Sequence, residues 1–346
     1  MKPLEQLLRP NILKLKPYSS ARDEYSGDEG IFLDANENPF NAPYNRYPDP
    51  HQRKLKAIIG ELKGTDPSTI FLGNGSDEAI DLVFRAFCRP GIDNVISIDP
   101  TYGMYQVAAE TNDIEVRKVL LTPDFGLDTK AILSAVDQHT KIIWLCSPNN
   151  PTGNCFQEAD IQKLLTSFEG IVVLDEAYID FAPGKSLLPQ LKQFPNLVIL
   201  QTFSKAWGMA GIRLGMAFAM PDIIKILSRI KYPYNLNVLT QRKAIELLGK
   251  NKATTEEWIQ LLIEERRKMA ENLKQLPFVH HIYPSDANFL LLKTPDAKKI
   301  YAYLVEQKII IRDRSSVALC AGCLRITIGS PEENKTLISK LKDLQL

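Results

Sequence analysis

The chain has 346 residues, 45% hydrophobic and 24% charged, with 42 basic side chains against 41 acidic for a net charge of +1. At roughly 150 residues per domain this is enough for one large domain and a smaller partner, each with its own core. The balanced charge argues against a nucleic-acid surface as the main function, because such surfaces carry a basic excess.

Residues 1–10 mix polar and apolar side chains without an apolar run followed by a small-residue cleavage site. No stretch of about 18 apolar residues is long enough to cross a bilayer, so the expected location is cytoplasmic. Short β-rich apolar runs at 70–72, 95–98, 115–119, 142–146, 171–174, 197–201 and 214–219 predict strands. Amphipathic patterns at 77–87, 104–110, 129–136 and 157–167 predict helices between several of them. Nearly continuous apolar strands alternating with helices make a mainly parallel sheet covered on both faces. Beyond Pro233 come long charged helices at 240–248 and 255–276. Strands near 289–293, 309–312 and 324–328 follow, with helices near 297–307 and 331–344. The expected fold class is therefore α/β, with a large domain over 32–238 and a smaller α/β domain made from 1–31 and 239–346.

Five cysteines, an odd number in a long chain, fit a reducing compartment. Cys320 and Cys323 form a single C-x-x-C with no second pair or histidine spacing to complete a zinc site, and no metal is expected. His51, His139, His280 and His281 read as solvated positions in loops or at element ends.

Chemistry should collect where the strands of such a sheet end, since the connecting loops there face the crevice. Gly75-Ser76-Asp77, Tyr102, Asn149-Asn150, Asp175 and Ser204-Lys205 all fall at those ends. Asp175 closes the apolar run 171–174. A buried carboxylate there needs a partner, because leaving a charge unpaired costs several kcal/mol. A protonated pyridine nitrogen is such a partner; taken alone, Asp175 could equally cap a turn. Lys205 has an ε-amine on a flexible stem that can condense with an aldehyde and later carry a proton. Tyr178 and Asn150 can donate to a phenolate oxygen on the same ring. Gly75, Ser76 and Asp77 open a helix whose free N–H groups can grip an anion. Thr202 and Ser204 add hydroxyls, Arg213 adds a guanidinium fork, and Tyr102 can stack on an aromatic ring. These parts together describe a pocket for pyridoxal 5′-phosphate, whose ring draws electrons while the protein orients it.

Eight segments carry a further likeness: Lys16-Pro17-Tyr18, Asn36-Glu37-Asn38-Pro39, Asn45-Arg46-Tyr47-Pro48, Thr101-Tyr102-Gly103-Met104-Tyr105, Asn149-Asn150-Pro151-Thr152-Gly153, Asp175-Glu176-Ala177-Tyr178, Thr202-Phe203-Ser204-Lys205 and Cys323-Leu324-Arg325-Ile326-Thr327. Through them the chain resembles, nearly end to end, the pyridoxal-phosphate-dependent aminotransferases of fold type I, and most closely their histidinol-phosphate branch. The resemblance implies a mixed, mostly parallel seven-stranded sheet in the large domain and a homodimer with active sites at the interface. It places Tyr47 on the cofactor phosphate of the neighbouring subunit and Arg325 on the carboxylate of glutamate or 2-oxoglutarate. It places Tyr18 and Arg312 on the phosphate of histidinol phosphate or imidazole-acetol phosphate, and Asn36 in the substrate site. Two arginines on small-domain strands suit a pocket that must accept both an acidic donor and a phosphorylated amine. An aromatic amino acid aminotransferase, or a decarboxylase acting on threonine phosphate, stays open as an alternative.

Overall fold

The computed structural model describes residues 2–18, 21, 25, 30–250 and 252–344. Its larger sheet has seven strands: β1 (Ile70–Asn74), β2 (Asn94–Asp99), β3 (Glu115–Leu120), β4 (Thr140–Cys146), β5 (Ile171–Asp175), β6 (Leu197–Thr202) and β7 (Leu214–Phe218). They lie in the order β1-β7-β6-β5-β4-β2-β3. Every pairing is parallel except those of β7, which runs antiparallel to both β1 and β6. All seven fall where the apolar runs predict.

Alternation along the strands explains the continuous apolar runs. Ile142 and Trp144 point into one buried cluster, with Phe84 and Phe87 of the Gly75–Phe87 helix. Ile143 and Leu145 point into the other, with Leu164 and Leu165 of the Glu158–Ser167 helix. Both faces of the strand are covered, so a period of two produces no polar residues.

This topology fixes where the chemistry sits. The parallel strands bring their carboxyl ends to one edge. Because β7 runs the other way, its amino end reaches that same edge, with Asn74 and Leu214 directly opposed. Arg213, immediately before β7, is thereby delivered beside the residues that follow β1, β5 and β6.

The second sheet is antiparallel, ordered β10-β11-β9-β8 from β8 (His281–Ile282), β9 (Phe289–Lys293), β10 (Arg312–Asp313) and β11 (Cys323–Thr327). Helices Ala297–Glu306 and Pro331–Asp343 and the end of Lys252–Lys274 bury Ile300, Leu304, Leu337, Ile338, Met269 and Leu273 against it. Strand β10 lies later than the expected 309–312. Lys308 takes a left-handed turn at φ 61°, and Ile309 N–H still bonds back to Leu304. Pairing with β11 therefore begins only at Arg312.

Residues 1–31 are expected in the small domain; of these, Leu7 and Leu8 are buried in the large-sheet cluster that holds Phe84 and Phe87. Arg9 N–H also bonds to Ala86 O at 3.0 Å. The short apolar stripe of Leu4–Leu7 finds its complement at the end of the Gly75–Phe87 helix, not on the second sheet. Ser19, Ser20 and most of 22–29 lie outside the described residues. Helices Arg53–Lys63 and Pro221–Ile230 and strand β8 were not expected. Pro221 at the first helical position is a start signal that sequence reading could have used.

Candidate active site

Asp175 ends β5 and is 2% exposed. Its carboxylate accepts from the Tyr105 hydroxyl at 2.7 Å and from the Ala177 N–H at 3.0 Å. Burial still dominates and pushes its pKa up to about 6, with the two donors holding it down in part. Sequence reading passed over Tyr105. Its ring is 1% exposed, stacked on Trp144 at 4.9 Å and edge-on to Tyr102 at 5.6 Å. The only local signal was the second tyrosine of Tyr102-Gly103-Met104-Tyr105, which the turn of the Met104–Thr111 helix aims at β5.

Lys205 follows β6 and opens into the same cavity, its Nζ 5.7 Å from the centre of the Tyr178 ring. Protein surrounds it closely enough that poor solvation lowers its pKa, with Arg325 lowering it further against the pull of Asp175 and Asp77. Ten of the expected residues line this cavity of about 120 Å³. Asp175, Tyr178, Lys205 and Tyr102 bring it an acid, two phenols and an amine. Gly75, Ser76, Asp77, Thr202, Ser204 and Arg213 form its anion end.

That end is built by close backbone approach. Gly75 N–H donates to Arg213 O at 2.9 Å, while Arg213 itself sits at φ 57°. The left-handed region costs an L-residue about 1–2 kcal/mol. The helix that starts at Gly75 leaves the amides of its first turn without intrahelical acceptors. Thr202 Oγ1 and Ser204 Oγ lie 3.0 Å apart beside them. Asp77 ties the Tyr102 hydroxyl at 3.3 Å and faces Arg213 Nη2 at 3.5 Å, so its side chain orients its neighbours while its N–H belongs to the cradle.

Asn150 joins the site through Tyr178. Its Nδ2 donates to the Tyr178 hydroxyl at 3.2 Å, and its Oδ1 accepts from Arg325 Nη1. Arg325 lies over the Phe289 ring at 5.2 Å. Strand register places Arg312 directly opposite Arg325. Arg314, which sequence reading did not single out, completes the group. Its charge lowers the pKa of Arg325 more than that of Arg312 does, and Tyr178 acts on Arg314 electrostatically in turn.

Three expected residues stand apart. Tyr47 stacks on Tyr234 at 4.4 Å, and Asn36 is exposed with φ 54°. Tyr18 is 72% exposed and lines a separate cavity of about 480 Å³ with His51 and Lys56. None of the three lines the Lys205 cavity of its own chain.

The donor set fits pyridoxal 5′-phosphate. It offers an amine for the aldehyde, a buried carboxylate for the ring nitrogen, Tyr178 with Asn150 for the phenolate oxygen, and a cradle for the phosphate. A Cβ on Gly75 (φ 68°) would stand 2.6 Å from Arg213 Nη2 and close that cradle.

Comparison with known proteins bears on family and fold. The family described as aminotransferase class I and II matches residues 32–341. A histidinol-phosphate aminotransferase of Parabacteroides distasonis is 58% identical over 346 residues, 100% of both chains. The solved structure of the histidinol-phosphate aminotransferase from Clostridium acetobutylicum superposes with a TM-score of 0.80 at 26% identity, covering 87% of this chain and 90% of that one. L-threonine-O-3-phosphate decarboxylase from Porphyromonas gingivalis reaches a TM-score of 0.71 at 28% identity, covering 86% and 92%.

Proposed function

The chain belongs to the class I and II aminotransferases, and from that premise we infer that it passes an amino group between glutamate and imidazole-acetol phosphate, giving 2-oxoglutarate and histidinol phosphate in histidine biosynthesis. Pyridoxal 5′-phosphate, when bound, supplies an aldehyde that takes up the amino group and a ring that draws electrons from the substrate's α-carbon. Lys205 then serves as the base: poor solvation keeps more of its Nζ neutral near pH 7, ready to accept the α-proton. Asp175, held by Tyr105 and the Ala177 N–H, keeps a carboxylate aimed at the ring nitrogen. The Tyr178 hydroxyl accepts from Asn150, which leaves its own hydrogen free to donate into the cavity. Arg325 serves the carboxylate of the acidic substrate and Arg312 the phosphate of the other.

The observation that carries this reading is the pairing of Arg312 with Arg325 across β10 and β11, above Asn150 and Tyr178. Two cations side by side on neighbouring strands support a site that takes two kinds of anion. The threonine-phosphate decarboxylase likeness favours a second reading, because a phosphorylated amino acid also needs both sites. Mixing the cofactor-loaded enzyme with histidinol phosphate, phenylalanine and threonine phosphate in turn decides between them. Amino transfer fastest from histidinol phosphate is expected. Carbon dioxide release, or equal rates with phenylalanine, overturns the assignment.

The working unit in this proposal is a cytoplasmic homodimer with 32–238 as the cofactor domain and 239–346 as the smaller one. Five free cysteines support the location. Exposed Ile31 (91%), Leu33 (88%) and Phe40 (76%), a few residues before Tyr47 in the chain, support a partner over this segment, since large apolar side chains left bare in one stretch suit a contact surface. Tyr47 then reaches the partner's cofactor phosphate, with Tyr18 and Asn36 serving substrate in the assembled site. Among the described residues no helix is long and apolar enough to cross a membrane.

A further inference from the structure

Three guanidinium groups crowd one face of the second sheet. Arg312 and Arg325 are opposite each other across β10 and β11. Arg314 is two residues beyond Arg312, and its N–H bonds to Cys323 O at 2.8 Å, which carries the ladder one step further. Side chains return to the same face every second residue, so Arg314 joins the other two. The acid between them compensates only in part. Asp313 falls on the opposite face and accepts from Ser315 N–H at 2.8 Å and Ser315 Oγ at 2.5 Å. Among the described residues, none of the three arginines forms an ion pair with a carboxylate.

The second observation concerns the donors themselves. Arg314 Nε and Arg325 Nε are both buried and without an acceptor. Protein polar groups sealed from water nearly always find a partner, and the exceptions call for a reason. Here burial and the mutual repulsion of the cluster lower the pKa of both groups. Arg325 already spends Nη1 on Asn150, and Arg312 stands at the exposed end of the strand. Arg314 is left as the partly buried cation whose fork is uncommitted, on the face of the sheet from which Arg325 reaches Asn150. A single carboxylate brings one negative charge to this cluster. A phosphate monoester brings close to two, with three acceptor oxygens that can take both a fork and a neighbouring hydroxyl.

We propose that Arg314 is the specificity-determining residue of this site, gripping the phosphate of the phosphorylated substrate together with Arg312. The proposal rests on the reading of the site given above and names the residue that makes it choose phosphate over an uncharged or carboxylate-bearing side chain.

Single-turnover reactions of the cofactor-loaded enzyme with histidinol phosphate and with glutamate test it, using Arg314→Gln and Arg314→Lys. Losing a charged hydrogen-bond donor to the phosphate raises the half-saturation constant for histidinol phosphate by on the order of 10- to 100-fold. The limiting rate stays within about threefold, because the proton-transfer groups are untouched and only binding shared by ground and transition states is lost. Glutamate keeps its constant within about threefold, Arg314→Lys recovers part of the loss, and inorganic phosphate competes less well in the Gln variant by a similar factor. An unchanged constant for histidinol phosphate overturns the proposal, and so does an equal loss for both substrates, which marks Arg314 as structural. A wild-type enzyme inert toward histidinol phosphate overturns the functional reading as well, and is thereby distinguished from a failure of Arg314 alone.

Discussion

Replacing Tyr105 by Phe removes one oxygen from a ring that otherwise keeps its place against Trp144 and Tyr102. That oxygen donates to the Asp175 carboxylate at 2.7 Å in a fully buried setting. Hydrogen bonds to charged groups contribute about 1.5–3 kcal/mol, and this one favours only the ionised acid. At 1.36 kcal/mol per pKa unit, its loss raises the Asp175 pKa by about 1–2 units above the present value of about 6. Asp175 is then largely protonated near neutral pH, where it must be ionised to hold a protonated ring nitrogen. Equilibrium dialysis of apoenzyme against pyridoxal 5′-phosphate between pH 6 and 9 measures the consequence. The variant binds about 10-fold more weakly at pH 7 and recovers toward wild type as pH rises past the new pKa. Thermal unfolding serves as the fold control. Equal affinities and equal pH profiles for the two proteins refute the argument that Tyr105 acts through Asp175.

Three other substitutions probe the same structure. Lys205→Ala should retain the cofactor only by non-covalent contacts, so borohydride reduction leaves no label on the protein and amino transfer falls to background; turnover near the wild-type rate contradicts the role given to Nζ. Gly215→Ala places a Cβ 2.1 Å from Ser76 N and 2.2 Å from Gly75 C, a clash of backbone with backbone that must push β7 and the Gly75 turn apart. Overpacking of this kind costs about 1–3 kcal/mol, and a lower melting temperature with loss of cofactor on gel filtration is the expected result; unchanged values for both mean that the strand yields freely. Glu176 is fully buried, and although Ser186, Leu187 and Gln201 donate to it, burial holds its pKa up to about 7, against an ordinary 4.5. A carboxyl raised this way confers its stability in full below about pH 4.5 and loses it as pH rises through about 7, by about 3 kcal/mol at most. Glu176→Gln removes that titration, and Gln201, whose Oε1 has no partner, can turn its amide to accept from the new one. Urea denaturation at pH 5 and pH 8 should therefore show a smaller decline for the variant, and identical declines would falsify the assignment.

The alternation of strand and helix, and the residues that close each strand, were legible because they are local. A buried strand declares itself by an apolar run, and Asp175, Asn150 and Ser204-Lys205 each interrupt or follow such a run within a few residues. That is why ten expected residues line one cavity. The start of the N-terminal segment shows the opposite case. Leu7 and Leu8 carry no mark of which core they enter, and only the free end of the Gly75–Phe87 helix decides it.

What the linear order determined was the inventory: a lysine, an acid and an anion cradle at successive strand ends, spaced for a cofactor that draws electrons. Which groups answer one another was settled only by the packed chain. Tyr105 meets Asp175 because β2 and β5 both flank β4. Arg213 reaches the cradle because β7 runs backwards. Arg314 stands with Arg325 because register alone sets which faces coincide. Hydrogen bonds and charge fall off within a few ångströms, so pairs separated by tens of residues follow from strand order and direction, which local periodicity does not encode.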